Sequence, residues 1–247
     1  MTEIAIQYRP VNFIPFTRYK KFFMPSRWGE LNCRQMESIS LATDPEADES
    51  KLISLFLGVS RIFVHKFSSY QKFCILRQLR YLNQVDICDR FIIQRIGRFK
   101  APAKYLKNVT FGQFIYGDTY FLNYTEGRKK DLDRFIACYY TRRKFSEDDI
   151  EKNSDIISRE SLQKREAIAL NYRLIREWLA RRYKNVFEQK KSNSKADRKN
   201  GWIGIFDAIV GDNITEVDRY ADAPLSQVLR YLDRRVIEYY KNKKHGS

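Results

Sequence analysis

The triplet Glu188–Gln189–Lys190 carries the Glu-x-Lys fragment of a metal-dependent nuclease motif. That chemistry needs a preceding Asp and a strand that holds carboxylate and ammonium toward a divalent cation. Here the triplet follows a helical pattern and leads into a polar stretch, so neither condition is met. Asp148, Asp149 and Glu151 cluster in "SEDDIE", where acids complement the positive end of a helix rather than collect a metal. His65 stands alone in "RIFVHKF" and reads as a structural or rim residue; the second histidine, His245, lies in the terminal "KHGS". Cys33, Cys74, Cys88 and Cys138 are far apart with no CxxC pair, which excludes the close-paired ligands of a Cys/His zinc site. Cys74 and Cys138, set among apolar residues, read as buried thiols, a pattern that suits a reducing, intracellular compartment. No GxxxxGK[ST], GxGxxG, GxSxG or HExxH occurs. We therefore expect no catalytic set, no cofactor and no metal, and a protein that acts by binding.

The charge indicates what it could bind. The formal net charge is +16 over 247 residues, which attracts polyanions or an acidic protein. The cations concentrate between Arg61 and Lys107, against only Asp86 and Asp89. Within this block Arg77, Arg80, Arg90, Arg95, Arg98, Lys100 and Lys104 form the candidate surface for nucleic acid or an acidic partner. Lysine and arginine contacts to phosphate give salt-sensitive, sequence-independent affinity, and the neighbouring Phe99 and Tyr105 could stack on bases. The alternative is a solvated positive face. The longest apolar stretch, Leu52 to Val64, is interrupted by Ser54, Ser60 and Arg61 and is too short for a bilayer, which takes ~20 apolar residues. With no secretory signal at the N-terminus, the expected location is the cytoplasm, with no membrane partner.

The elements that must carry these residues are mostly helical. Ile4, Ile6 and Tyr8 alternate as a short strand or extended arm, and the segment on to Pro25 reads as irregular, aromatic and basic. Asn32 with Gln35 resembles a capping box. Leu52, Leu55, Phe56, Val59, Ile62 and Phe63 share one helical stripe, and a further helix is expected over Tyr70 to Asn83. Ile87 to Ile96 is ambiguous between helix and strand. Thr110 and Gln113 form a second capping box at the head of "TFGQFIYGDTYFLNYTEG", which holds no Lys or Arg and ends at Gly127. Asp118 falls on the apolar stripe of that helix, so it is expected to be a buried polar residue that needs a partner, with an Arg of the basic block as the candidate. Tyr116, Tyr120 and Tyr124 follow at i, i+4, i+8 and are a candidate partner groove. A long helix is expected near Arg159 to Tyr183 and a last one after Pro224.

Residues 188–201, "EQKKSNSKADRKNG", lack large apolar side chains and read as a flexible basic linker. The expected fold is mainly α: an irregular multi-helix bundle over 1–187 with a short N-terminal extended arm, and a small C-terminal helical unit over 202–247. "SRWGELNCRQM", "NVTFGQFIYGDTYFLNY", "LDRFIACYY" and the terminal "W…F…I…D…PLSQVLRYL" resemble, in that order, helical proteins of phage and prophage structural modules of the tail-assembly-chaperone type. The resemblance spans most of the chain and carries no catalytic residue. It implies a non-enzymatic virion-assembly or structural protein that holds another phage structural protein, in the host cytoplasm or the virion, by helix-in-groove contact. Non-specific binding of DNA or RNA through the Arg61–Lys107 block is the alternative.

Overall fold

The computed structural model describes residues 1–10, 16–44, 46–84, 86–187, 202, 204–206 and 217–245. The chain is mainly α-helical, with two small antiparallel sheets among the described residues. No helix among the described residues is long and apolar enough to cross a membrane. The contacts divide into two compact units, Met1–Cys88 and Asp89–Ser247. This division falls inside the stretch expected to form one main domain. The chain changes units at Cys88, between Asp86 and Asp89, where no long polar segment marks a boundary. Residues 188–201, with Glu188–Lys190, lie outside the described residues.

In the first unit, β1 (Thr2–Tyr8) pairs antiparallel with β2 (Arg18–Met24), Thr2 opposite Met24 and Tyr8 opposite Arg18. Within the stretch before Pro25, Arg18–Met24 is thus a strand rather than irregular. Phe22 and Met24 turn inward and are buried. Lys20 falls on their side of the strand but is exposed, its ammonium 5.5 Å from the Phe63 ring centre, and a cation at that position hides the alternation in the sequence. Five short helices follow: α1 (Cys33–Glu37), α2 (Ser40–Thr43), α3 (Glu49–Leu57), α4 (Arg61–Val64) and α5 (Ser69–Gln78). The Asn32–Gln35 capping box closes the N-terminus of α1 as expected. The expected single stripe from Leu52 to Phe63 is split in two because Gly58 adopts φ +67 and ends α3; that left-handed conformation favours glycine. His65 follows α4 directly and is exposed.

The second unit is built on α6 (Phe111–Thr125), α7 (Asp131–Tyr139), α8 (Ile150–Ile157), α9 (Leu162–Arg182), α10 (Val217–Ala221) and α11 (Leu225–His245), with the hairpin β3 (Arg95–Ile96) and β4 (Phe99–Lys100). The Thr110–Gln113 capping box opens α6, and the Gln113 amide goes on to donate to the Cys138 carbonyl of α7 at 2.7 Å. Cys138 is buried, while Cys74, in the first unit, is only half-buried. The rings of Phe121, Phe135 and Tyr139 each lie 4.9 Å from that of Tyr172 on α9, and Phe91 stacks on it at 6.1 Å. The ambiguous run up to Ile96 is neither helix nor strand around Phe91–Ile93, although all three residues are buried. The buried Asn171 side chain takes the place of a ladder there: its Oδ1 accepts from Ile92 N–H at 2.6 Å and its Nδ2 donates to the Arg90 carbonyl at 3.2 Å.

Asp118 is fully buried, as its position on the apolar stripe predicts. Arg176 Nε donates to Oδ1 at 2.7 Å, Tyr172 hydroxyl donates to the same oxygen at 3.1 Å, and Trp202 Nε1 donates to Oδ2 at 2.7 Å. The cation therefore comes from α9, one turn beyond Tyr172, and not from the basic block. Because Tyr172 spends its proton on the carboxylate, Tyr139 is the donor of the 2.7 Å bond between the two phenols. The C-terminal elements join this core at the head of α6. Phe111 N–H donates to Ala223 carbonyl and Leu225 N–H to Val109 carbonyl, both at 2.9 Å. Trp202 sits 4.9 Å, edge to face, from Phe114.

Burial, and then the nearby Asp118 charge, hold the Tyr139 and Tyr172 phenols well above their ordinary pKa of 10.0. A group whose pKa is raised by folding contributes stability that is complete below its unfolded value and is lost as pH rises beyond it. Stability should therefore fall above about pH 10. The tyrosinate absorbance of these two residues should appear only together with unfolding by circular dichroism. Their ionisation in a chain still folded would contradict the arrangement.

Candidate polyanion interface

The hairpin of the second unit places its side chains by alternation. Ile96 and Phe99 point into the core, exposed by 2% and 1%, and leave Arg95 and Lys100 outside. Gly97 and Arg98 make the turn, with Gly97 at φ +51. In the ladder Arg95 stands directly opposite Lys100. Like charges at cross-strand positions are destabilising, so the pair is not accounted for by folding.

A third segment extends this edge. Lys100 N–H donates to Thr141 carbonyl at 3.0 Å and Thr141 N–H returns the bond to Lys100 carbonyl at 3.1 Å. Tyr139 and Tyr140 anchor the segment, 1% and 0% exposed, with Tyr140 hydroxyl donating to Ile93 carbonyl at 2.5 Å. Immediately after Thr141 come Arg142, Arg143 and Lys144, all exposed. The Arg142 guanidinium lies 4.5 Å from the Phe99 ring centre, and Lys144 pairs with Asp222 at 2.7 Å. Beside this edge opens a cleft of about 410 Å³, lined among others by Lys100, Asn108, Thr110, Arg143, Lys144 and Asp222. Arg95, Arg98, Lys100, Arg142, Arg143 and Lys144 thus share one hairpin and the segment bridged to it.

The candidate cations of the sequence do not all belong here. Arg77 and Arg80 are exposed at the end of α5 and in the turn beyond it, in the first unit. Arg90, Arg95, Arg98, Lys100 and Lys104 are exposed in the second. Lys104 pairs with Asp89 at 3.3 Å. Arg142, Arg143 and Lys144 stand outside the Arg61–Lys107 block that the sequence singles out. Their signal is local, three consecutive cations shortly after two tyrosines, and it is the bridge to Lys100, with Arg142 over Phe99, that joins them to that block.

The tyrosine edge is partly taken up by the chain itself. Tyr116 packs against Phe145 at 6.1 Å and Tyr120 lies 5.9 Å from the Arg134 guanidinium. Tyr116, Tyr120 and Tyr124 are all half-buried, and that burial pushes each phenol above its ordinary pKa. Of the acidic cluster, Glu151 is engaged by Arg134 at 2.8 Å. No protein-family model, curated protein or solved structure matches this chain.

Proposed function

We propose that this protein binds nucleic acid through the phosphate backbone, without reading sequence, along the hairpin edge of the second unit. The observation that supports this most directly is the opposed pair Arg95 and Lys100, with Arg98 on the turn and Arg142, Arg143 and Lys144 on the bridged segment. A row of phosphates would relieve the repulsion that folding leaves in place, and would release counterions as it docks.

A single substitution separates this reading from a structural role. Arg95→Glu puts an acid opposite Lys100 and should stabilise the fold slightly, by about 0.2–1 kcal/mol, while weakening binding. Arg95→Glu with Arg98→Glu should lower affinity for labelled DNA or RNA at least about tenfold. It should also flatten the salt dependence, by roughly 0.9 in log–log slope for each duplex phosphate that the protein no longer neutralises. Fluorescence anisotropy across a salt series measures both. Affinity unchanged in the double variant would remove the reading.

A second reading, a virion-assembly protein that holds another structural component, is favoured by exposed aromatics in the first unit. Tyr19 and Phe23, 72% and 62% exposed, share the outward side of β2, and Tyr70 and Phe73, 76% and 56% exposed, lie three residues apart on α5. Such side chains suit a protein partner. Capture of a virion protein by the native chain, abolished by Tyr19→Ser with Phe23→Ser but kept in the hairpin variant, would favour this reading over the first.

A further inference from the structure

We infer that a second cleft of the same unit binds a nucleotide, its base against Tyr105 and Trp178 and its phosphate among Lys107, Arg182 and Arg230. The cleft, of about 360 Å³, lies where the loop after β4 meets the end of α9 and the first turns of α11, and Ser226 completes its polar lining. Its size falls in the range of small-ligand sites, roughly 300–1,000 Å³, and is too small for a folded partner.

Three independent features point to this ligand. The first is the aromatic wall: the Tyr105 and Trp178 rings are 5.5 Å apart and tilted by 35°. That spacing leaves no room for a third ring between them, so a base would add to the outside of the pair. The second is charge. Lys107, Arg182 and Arg230 line the cleft and, among the described residues, no carboxylate does. Lys104 and Lys107 lie 4.7 and 5.8 Å from the Tyr105 ring centre, and Arg182 lies 5.6 Å from that of Trp178. Cations on aromatic faces, beside a hollow open to solvent, match a π-system that carries an anion.

The third is backbone strain. Tyr105 and Leu106 adopt φ +64 and +53, the only residues other than glycine with positive φ among those described. This conformation is unfavourable for both residue types. It is held by the buried Leu106 side chain, by Tyr105 N–H donating to Asp89 carbonyl at 2.7 Å, and by Asn108 Oδ1 accepting from Ala103 N–H at 2.7 Å. The result carries Tyr105 out of the loop, 39% exposed, against Trp178. A strained, well-anchored loop that presents an aromatic ring beside three cations is the arrangement expected of a ligand clamp.

Intrinsic fluorescence provides the test, because Trp28 and Trp202 are buried while Trp178 is half-buried at the cleft. Titration of the full chain with AMP and with a short oligo(dA) should quench emission saturably, and calorimetry should return the same affinity. AMP acting alone identifies a free nucleotide as the source; a response to the oligonucleotide that far exceeds it identifies a nucleotide within a strand. Trp178→Leu and the exposed Arg230→Glu should each weaken AMP binding about tenfold or more, with Arg230→Glu leaving thermal stability unchanged. The Arg95→Glu, Arg98→Glu variant should bind AMP like the native chain, so failure of the hairpin reading would not obscure the result. The inference is overturned if neither AMP nor oligo(dA) binds, if adenosine binds as well as AMP, if Arg230→Glu has no effect, or if an acidic, aromatic peptide binds where AMP does not.

Discussion

Asp118→Ala is expected to destabilise the protein by about 3–5 kcal/mol, the range for breaking a buried ion pair from one side. The carboxylate is fully buried and serves Arg176, Tyr172 and Trp202 at once. Alanine leaves three donors without their acceptor. Two of them, the Tyr172 hydroxyl and the Trp202 indole, are buried where no solvent can replace it; an orphaned buried donor costs about 1–3 kcal/mol. Arg176 is 29% exposed along its side chain and recovers part of its hydration, which keeps the total within that range. Against a typical total stability of about 5–15 kcal/mol, this brings the variant close to unfolding at ordinary temperature. Urea denaturation followed by circular dichroism measures the change. Asp118→Asn keeps an acceptor for the indole and should lie between alanine and the native chain. A destabilisation below about 1 kcal/mol for Asp118→Ala would mean that the network is not structural, and a selective loss of partner binding at unchanged stability would mean the same.

Gly117→Ala should also be damaging, although alanine is ordinarily the better helix residue by about 1 kcal/mol. A Cβ at position 117 would stand 2.4 Å from Cε2, 2.7 Å from Cζ and 2.9 Å from the hydroxyl of Tyr139. These are atoms of a ring 1% exposed, packed among Phe91, Phe135 and Tyr172 and hydrogen-bonded to the last of these. Neither the ring nor the α6 backbone can retreat without opening that cluster. Overpacking of this kind costs about 1–3 kcal/mol and more where the neighbour cannot move. The penalty should therefore exceed the propensity gain and leave a net destabilisation of about 2 kcal/mol. The cause can be isolated: in a Tyr139→Leu background the clash disappears, so Gly117→Ala should become neutral or stabilising there. Equal penalties in both backgrounds would show that the strain lies elsewhere.

What the sequence revealed of this fold was local. The Asn32–Gln35 and Thr110–Gln113 boxes, the apolar stripe of α6 and the burial of Asp118 all depend on residues within a few positions of one another, and the structure has them as read. Features that depend on distant residues were not legible. β2 becomes a strand only through pairing with β1, because Lys20, on the same side as Phe22 and Met24, breaks its pattern. Residues Phe91–Ile93 stay irregular because side chains far along the chain supply hydrogen bonds there, Asn171 to Ile92 N–H and Arg90 carbonyl and Tyr140 to Ile93 carbonyl. The hairpin edge doubles its cations through the bridge from Lys100 to Thr141, a pairing that spacing cannot announce. Arg176 could have been found in part, since it lies one turn beyond Tyr172 on α9, but nothing near Asp118 in sequence indicates that α9 crosses at that point.

The Trp202–Asp118 bond joins residues 84 positions apart, which has a consequence for biosynthesis. A ribosome delivers α6, α7 and α9 well before it delivers Trp202. Until then Asp118 Oδ2 faces a site where the indole is still missing, beside Phe114 and Phe187, whose rings lie 4.9 and 5.4 Å from the indole in the finished protein. A chain cut short before residue 202 is expected to lose this bond and to leave Phe114 and Phe187 less covered. Late residues thus finish a core that α6, α7 and α9 begin: Trp202 caps the Asp118 carboxylate, and Ala223 and Leu225 bond to the head of α6.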